Sequence, residues 1–161
     1  MDPERTPIPG MEIRSLRASA TYPLRGAVLR PGQPLTTARY DGDEAAGTTH
    51  FGAFTAGRLV AVASLFIEAA PGGISSHCDL PEAMWRLRGM AVAPEAQRRG
   101  FGRAVLEACI AHIARQGGGL LWCNARASAV GFYRAAGFEI SGAEFTIPGI
   151  GPHFVMWRIV T

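Results

Sequence analysis

The chain has no lysine. All 16 of its basic residues are arginine, and the formal charge is only +3 with a pI near 9.1. A nucleic-acid binder needs a dense basic face. Here the arginines scatter, except at Arg98, Arg99 and Arg103, so the excess suits a small polyanion and not a nucleic acid. Cysteine is also scarce. Cys78, Cys109 and Cys123 form neither a close pair nor a metal-ligand spacing, which excludes a disulfide scaffold and a zinc site. An odd count with two in buried elements points to free thiols in a reducing cytoplasm. No apolar run approaches the ~20 residues of a membrane helix. The opening decapeptide has acid and proline but no apolar core, so it reads as a loose lead-in and not a secretory signal. No Gly-Lys-Ser/Thr occurs, which excludes a P-loop. Position 105 is Val where a dinucleotide fingerprint needs its third glycine.

What is present is concentrated in residues 87–103. An apolar strand ends at Val92, a Pro-containing turn follows, and Gln97-Arg98-Arg99-Gly100-Phe101-Gly102 opens a long amphipathic helix that includes Arg103. Successive N–H groups at a helix start, unobstructed at Gly100 and Gly102, suit a bridging phosphate. Arg98, Arg99 and Arg103 crowd positive charge where the helix dipole is already positive. That arrangement is unfavourable for an empty helix end and suggests an anionic occupant. Taken alone, a Gly-x-Gly with solvated arginines is an equally good reading. A second block, Asn124 to Phe138, carries an aromatic-Tyr pair and a Gly-Phe just past a short helix.

The two blocks together resemble the GNAT superfamily of N-acetyltransferases. The first resembles its acyl-CoA signature: Arg or Gln, two residues, Gly, one residue, then Gly or Ala. Gln97, Gly100 and Gly102 fill it. The second resembles the family's later tyrosine motif. The likeness is good over about residues 48–160 and loose over the first forty.

With 161 residues and 48% hydrophobic content, the chain fits one domain, residues 1–161, with 1–10 as the lead-in. Period and punctuation predict a strand at Met11–Leu16, then a helix from near Pro23 to before Pro31. A loop with a short helical turn spans 31–47. A hairpin joins strands at 49–55 and 59–67 through Ala56-Gly57-Arg58. A long loop covers 68–83. The strand 85–92 is interrupted by Gly89, which marks a bulge or a close backbone approach. A helix from Gly100 to about Arg115 ends at Gly117-Gly118-Gly119, before a buried strand at 120–124. Ser128 is the expected N-cap of a helix to Ala136, and Gly137 its stop. Strands at 138–147 and 153–160 complete an α/β layer fold. Its mixed, mostly antiparallel central sheet is flanked by helices, as the GNAT acyl-CoA N-acyltransferase fold implies.

The resemblance implies acetyl-CoA as acyl donor, no metal, and direct transfer to an amine, on a small molecule or a peptide. Its pantetheine arm would pair with backbone at Met90, Ala91 and Val92. Its pyrophosphate would lie on the amides of Arg98, Arg99, Gly100, Phe101, Gly102 and Arg103, with Gln97 in the signature. Asn124 would hold the pantetheine or simply end its strand. Tyr133 is the expected acid for the departing thiolate; the alternative is that it only packs. Many relatives carry a glutamate base on the strand before the signature, but this strand carries Arg86 and Arg88. His153 and His50 then become base or acceptor-side candidates, against a structural role for each. Arg88 is a candidate anchor for an acceptor carboxylate, with Arg25 and Arg30 weaker versions of the same idea. A homodimer through the final strands is a further implication. The competing class is a non-catalytic acyl-CoA-binding sensor or interaction module. It would bind acetyl-CoA without amine-dependent turnover.

Overall fold

The computed structural model describes residues 8–76, 81 and 83–161. Cys78 and most of the lead-in lie outside the described residues. β1 (Met11–Leu16) precedes α1 (Ala18–Leu24), and β2 (Thr49–Thr55) and β3 (Arg58–Ile67) follow. β4 (Met84–Val92) leads into α2 (Phe101–Arg115). β5 (Gly119–Arg126), α3 (Val130–Ala135), β6 (Glu139–Ile147) and β7 (Gly151–Val160) complete the chain. The seven strands form one sheet in the order β1-β2-β3-β4-β5-β7-β6. Among the described residues no helix is long and apolar enough to cross a membrane.

The chain divides into two compact units, one of residues up to Ser64 with Gly89–Cys109, the other of Leu65–Arg88 with Ile110–Thr161. In the first, β1 runs antiparallel to β2, from Met11 opposite Thr55 to Leu16 opposite His50. The β2–β3 turn has positive φ at both Ala56 (49°) and Gly57 (73°). That twist matches the twist of the flanking strands, as two-residue hairpins require. Burial runs through both faces of β2 and β3, taking in Phe51, Ala53, Val60, Ala61, Val62 and Ala63, and α2 buries Phe101, Val105, Leu106 and Cys109.

Helix α1 starts at Ala18, five residues before the expected start. Proline favours the first turn of a helix, yet Pro23 sits inside this one. There its ring crowds the carbonyl four residues back. The chain then widens into a π turn at Arg25–Leu29, which accommodates it. A 3₁₀ turn at Leu35–Ala38 is the short helical turn expected between 31 and 47.

In the second unit, β4 and β5 pair in parallel over only three positions, Met84–Arg86 with Leu120–Trp122, although both strands run on. β7 lies between β5 and β6 and is antiparallel to both. Ile74, Leu120, Trp122 and Trp157 form a buried cluster, joined by Met84, Val155 and Ile159. The three glycines after α2 do more than stop it. Gly118 N–H closes on Ile113 O at 2.9 Å. A Cβ at Gly118 would stand 2.5 Å from Val160 O, and one at Gly119 2.6 Å from Ala83 O. Backbone therefore approaches where side chains would sit.

Ser128 is not the N-cap of α3. It lies in a 3₁₀ turn, Ala127–Ala129, and Ala129 precedes the helix with no side-chain cap bond. The tighter turn places the serine one residue too early to cap. Gly137 (φ 88°) ends the helix as expected.

Burial raises the thiol pKa of Cys109 and Cys123 far above the ordinary range. Both should resist alkylation at pH 8 in the native protein and react fully in denaturant. Peptide mass mapping after timed iodoacetamide treatment checks this.

Candidate active site

In the first unit the end of β4 leads directly into the signature loop. Ala93 N–H donates to Val60 O at 2.8 Å, tying the strand end to β3. Pro94 opens a 3₁₀ turn through Ala96, where its missing N–H costs nothing. The Gln97 side chain turns back and donates to Val92 O at 3.1 Å. It holds the loop in register with the strand. Arg98 takes a left-handed conformation (φ 61°), rare outside glycine, and Gly100 another (φ 94°). Two such residues, two positions apart, turn the backbone sharply just ahead of the helix.

α2 then begins at Phe101, which is fully buried and anchors the helix start. The N–H groups of Phe101, Gly102 and Arg103 precede the first intrahelical acceptor. Ala104 N–H is the first to close, on Gly100 O at 3.0 Å. Arg98 and Arg99 are exposed. Arg99 lies 5.2 Å from the Phe101 ring centroid, and Arg103 pairs with Glu107 at 3.0 Å. Met90, Ala91, Val92 and Gln97–Arg103 thus form one continuous stretch of strand, loop and helix start.

His50 and Arg25, read from sequence as acceptor-side candidates, are placed otherwise. Arg25 is wholly buried and grips Asp43 through both terminal nitrogens, at 2.8 and 2.9 Å. Its carboxylate partner is internal, so it is no anchor for an acceptor. His50 is also buried, with Nε2 2.8 Å from Asp43 O and Nδ1 2.6 Å from Ser64 Oγ. A carbonyl only accepts, so Nε2 carries hydrogen, and in the neutral ring Nδ1 accepts from the Ser64 hydroxyl. Ser64 Oγ in turn accepts from Arg25 Nη2 at 2.8 Å. This network holds the chain together and offers His50 no acceptor-facing nitrogen. Arg30 donates to Leu29 O at 3.0 Å.

The second unit carries the remaining candidates. Tyr133 is buried on α3, edge-on to Phe132 and Phe138 at 5.0 and 5.3 Å between centroids. Asn124 lies on β5 opposite Val155. His153 sits on β7 between Arg126 of β5 and Phe145 of β6. Its Nδ1 donates to Gly151 O at 2.8 Å. The neutral ring therefore keeps its basic lone pair on Nε2. Arg88 is half-buried, 5.7 Å over the Phe66 ring. One carboxylate escaped the sequence reading. Glu68, just past β3, accepts from Arg86 at 2.8 Å, and Arg86 lies 4.8 Å over Trp122. Eighteen residues separate the pair, so no local pattern signals it.

The first unit carries a strand, a tight turn and a following helix at Met90–Arg103, and in the second the parallel β4–β5 pair stops after three positions. The model of the Acetyltransferase (GNAT) family matches residues 13–138. The chain belongs to that family and is an N-acetyltransferase enzyme. It is 34% identical over 149 residues to the Uncharacterized N-acetyltransferase YitI of Bacillus subtilis, covering 92% of this chain and 95% of that one. A 56-residue stretch is 42% identical to the [Ribosomal protein bS18]-alanine N-acetyltransferase of Escherichia coli, 33% of this chain and 38% of that one. The solved Escherichia coli ribosomal-protein-S18-alanine N-acetyltransferase shares the fold at a TM-score of 0.68 and 20% identity, covering 94% of each chain. Escherichia coli ElaA does so at 0.70 and 19%, covering 92% of this chain and 99% of that one.

Proposed function

We propose that the chain moves an acetyl group from acetyl-CoA to a primary amine by direct attack, as one acetyltransferase domain working in the cytoplasm. The observation that carries the donor is the turn at Arg98–Gly100, with left-handed φ at both ends and a 15-residue helix behind it. It offers N–H donors to a pyrophosphate, and exposed Arg98 and Arg99 add charge that a phosphate would neutralise. Met90, Ala91 and Val92 present strand backbone for the amides of the pantetheine arm. Gln97 serves by fixing the loop, since its amide is already bonded to Val92 O.

The thioester supplies an activated acetyl carbonyl. The amine nitrogen forms the new C–N bond and the C–S bond breaks. Tyr133 O–H gives its proton to the departing thiolate. His153 Nε2 takes the proton released by the amine, directly or through water. Asn124 holds the donor side of β5, and Arg88 orients an acceptor that carries a carboxylate. Family membership favours this catalytic reading over a binding-only module. A peptide N-terminal amine belongs among the acceptors to be screened, because one matched relative is named for acetylating an alanine of a ribosomal protein.

Tyr133→Phe separates chemistry from binding. It should lower amine-dependent release of CoA thiol by ~10- to 100-fold, within the usual range for a lost general acid. Affinity for acetyl-CoA should stay within about twofold, since the ring still packs. A Tyr133→Phe enzyme with wild-type turnover would remove the tyrosine from the mechanism.

A further inference from the structure

We propose that Arg25 is a positioning residue of the transfer reaction: its buried guanidinium holds the kink at Gly89 and so aims the Met90–Val92 backbone. The inference rests on the donor reading above and concerns the first unit alone.

Arg25 has five N–H donors, and four are accounted for. Nη1 donates to Ala38 O and Asp43 Oδ2, and Nη2 to Asp43 Oδ1 and Ser64 Oγ. The fifth, on Nε, is buried and has no acceptor among the described residues. A buried donor left without an acceptor is costly. It is tolerated here at one place, against Gly89. A Cβ built on Gly89 would stand 2.7 Å from Arg25 Nε and 3.3 Å from Tyr40 Cε2. The guanidinium and the phenol ring fill the space a side chain would need. They lie against each other, 4.1 Å from Arg25 Cζ to the ring centroid.

Asp43 fixes both members of this clamp. Besides gripping Arg25 it accepts the Tyr40 N–H at 2.8 Å. The π turn that begins at Arg25 brings the side chain inward, and π turns inside helices gather at functional sites. Gly89 itself has φ 66° in the middle of a strand. A strand glycine in that conformation has many alternatives open to it, so something must select one. The next three residues are the proposed donor backbone, and Val92 O receives the Gln97 side chain. A shift at Gly89 therefore passes along four consecutive residues into the signature loop. A purely stabilising ion pair predicts something different, because matched apolar residues replace buried pairs with little loss of stability.

The test uses Arg25→Met/Asp43→Leu, which removes both charges together, and Arg25→Lys, which keeps the charge but loses the fork. Calorimetry measures acetyl-CoA and, separately, ADP, which has the pyrophosphate without the pantetheine arm. Circular dichroism and Tm report folding. The expected result is an acetyl-CoA affinity at least tenfold weaker in each folded variant, with ADP affinity within twofold of wild type. A folded variant that binds and turns over acetyl-CoA within twofold of wild type overturns the proposal. So does an equal loss for both ligands, which marks general support of the fold. If the double variant does not fold, Arg25→Lys carries the same readouts. If wild type binds no acetyl-CoA, the donor reading fails instead. Amide exchange at Met90–Val92 then decides the role of Arg25: at least tenfold faster exchange in Arg25→Lys supports it, and unchanged exchange overturns it.

Discussion

Replacing Arg99 and Gly100 together by glutamate should abolish acetyl-CoA binding while leaving the far-UV circular dichroism unchanged. Arg99 is exposed and Gly100 lies outside the first helical turn, so the fold loses little. The donor site loses much. A glutamate at position 99 replaces the proposed charge-assisted partner of phosphate by a repelling carboxylate. A side chain at position 100 must accept a φ of 94°, which strains any L residue and displaces the N–H groups on either side. Charge-assisted hydrogen bonds contribute about 1.5–3 kcal/mol each. Losing two is worth ~100-fold or more in Kd. Calorimetric titration measures it directly. Binding within tenfold of wild type would move the pyrophosphate away from this helix and with it the donor assignment.

Asp43→Ala should be the most destabilising single truncation in the first unit. The Asp43 side chain is 4% exposed and that of Arg25 is fully buried. Removing one partner leaves a guanidinium buried with no counter-charge, which costs about 3–5 kcal/mol. It also frees the Tyr40 N–H and two of the four satisfied donors on Arg25. The effect depends on pH with a definite sign. Burial alone would raise the Asp43 pKa. The Arg25 hydrogen bonds and charge, the Tyr40 N–H and His50 outweigh it, and the net shift is downward. A depressed carboxylate contributes stability in full above its unfolded pKa, about 3.9. That contribution disappears as pH falls through the lower folded value. The gap between wild type and Asp43→Ala should therefore be constant from pH 7 to about 5 and shrink below about 4. Urea unfolding at pH 7, 5, 4 and 3 checks both size and trend. A gap that widened in acid would mean Asp43 is not ionised in the native protein.

The donor half of the proposed site carries the strongest sequence signals because they are local. The Gln97–Gly102 spacing, the strand before it and the helix after it occupy adjacent positions. Ala56-Gly57 announced its hairpin for the same reason, and Gly89 announced a close approach. What came close to Gly89 was not legible. Arg25 reads as a weak candidate anchor for an acceptor carboxylate, in a Pro-interrupted helix. Its partners Ala38, Asp43 and Ser64 stand 13, 18 and 39 residues away. No periodicity records such distances. His50 escaped for the same reason, since its ring is claimed by Ser64 and Asp43. Pro23 misled because first-turn placement is a preference that a π turn can override. The proposed proton-handling residues gave the weakest signals, since single tyrosines and histidines look alike in sequence whether they pack or react.

The strand order carries a consequence for synthesis. β7 follows β6 in sequence, yet it lies between β5 and β6. As the nascent chain emerges, residues 119–126 and 139–147 appear with no strand between them. Each exposes an unpaired edge until residues 151–160 arrive. Unpaired edges of this kind invite pairing with other chains. A slow insertion step, and a window for aggregation before β7 docks, follow from where one strand sits.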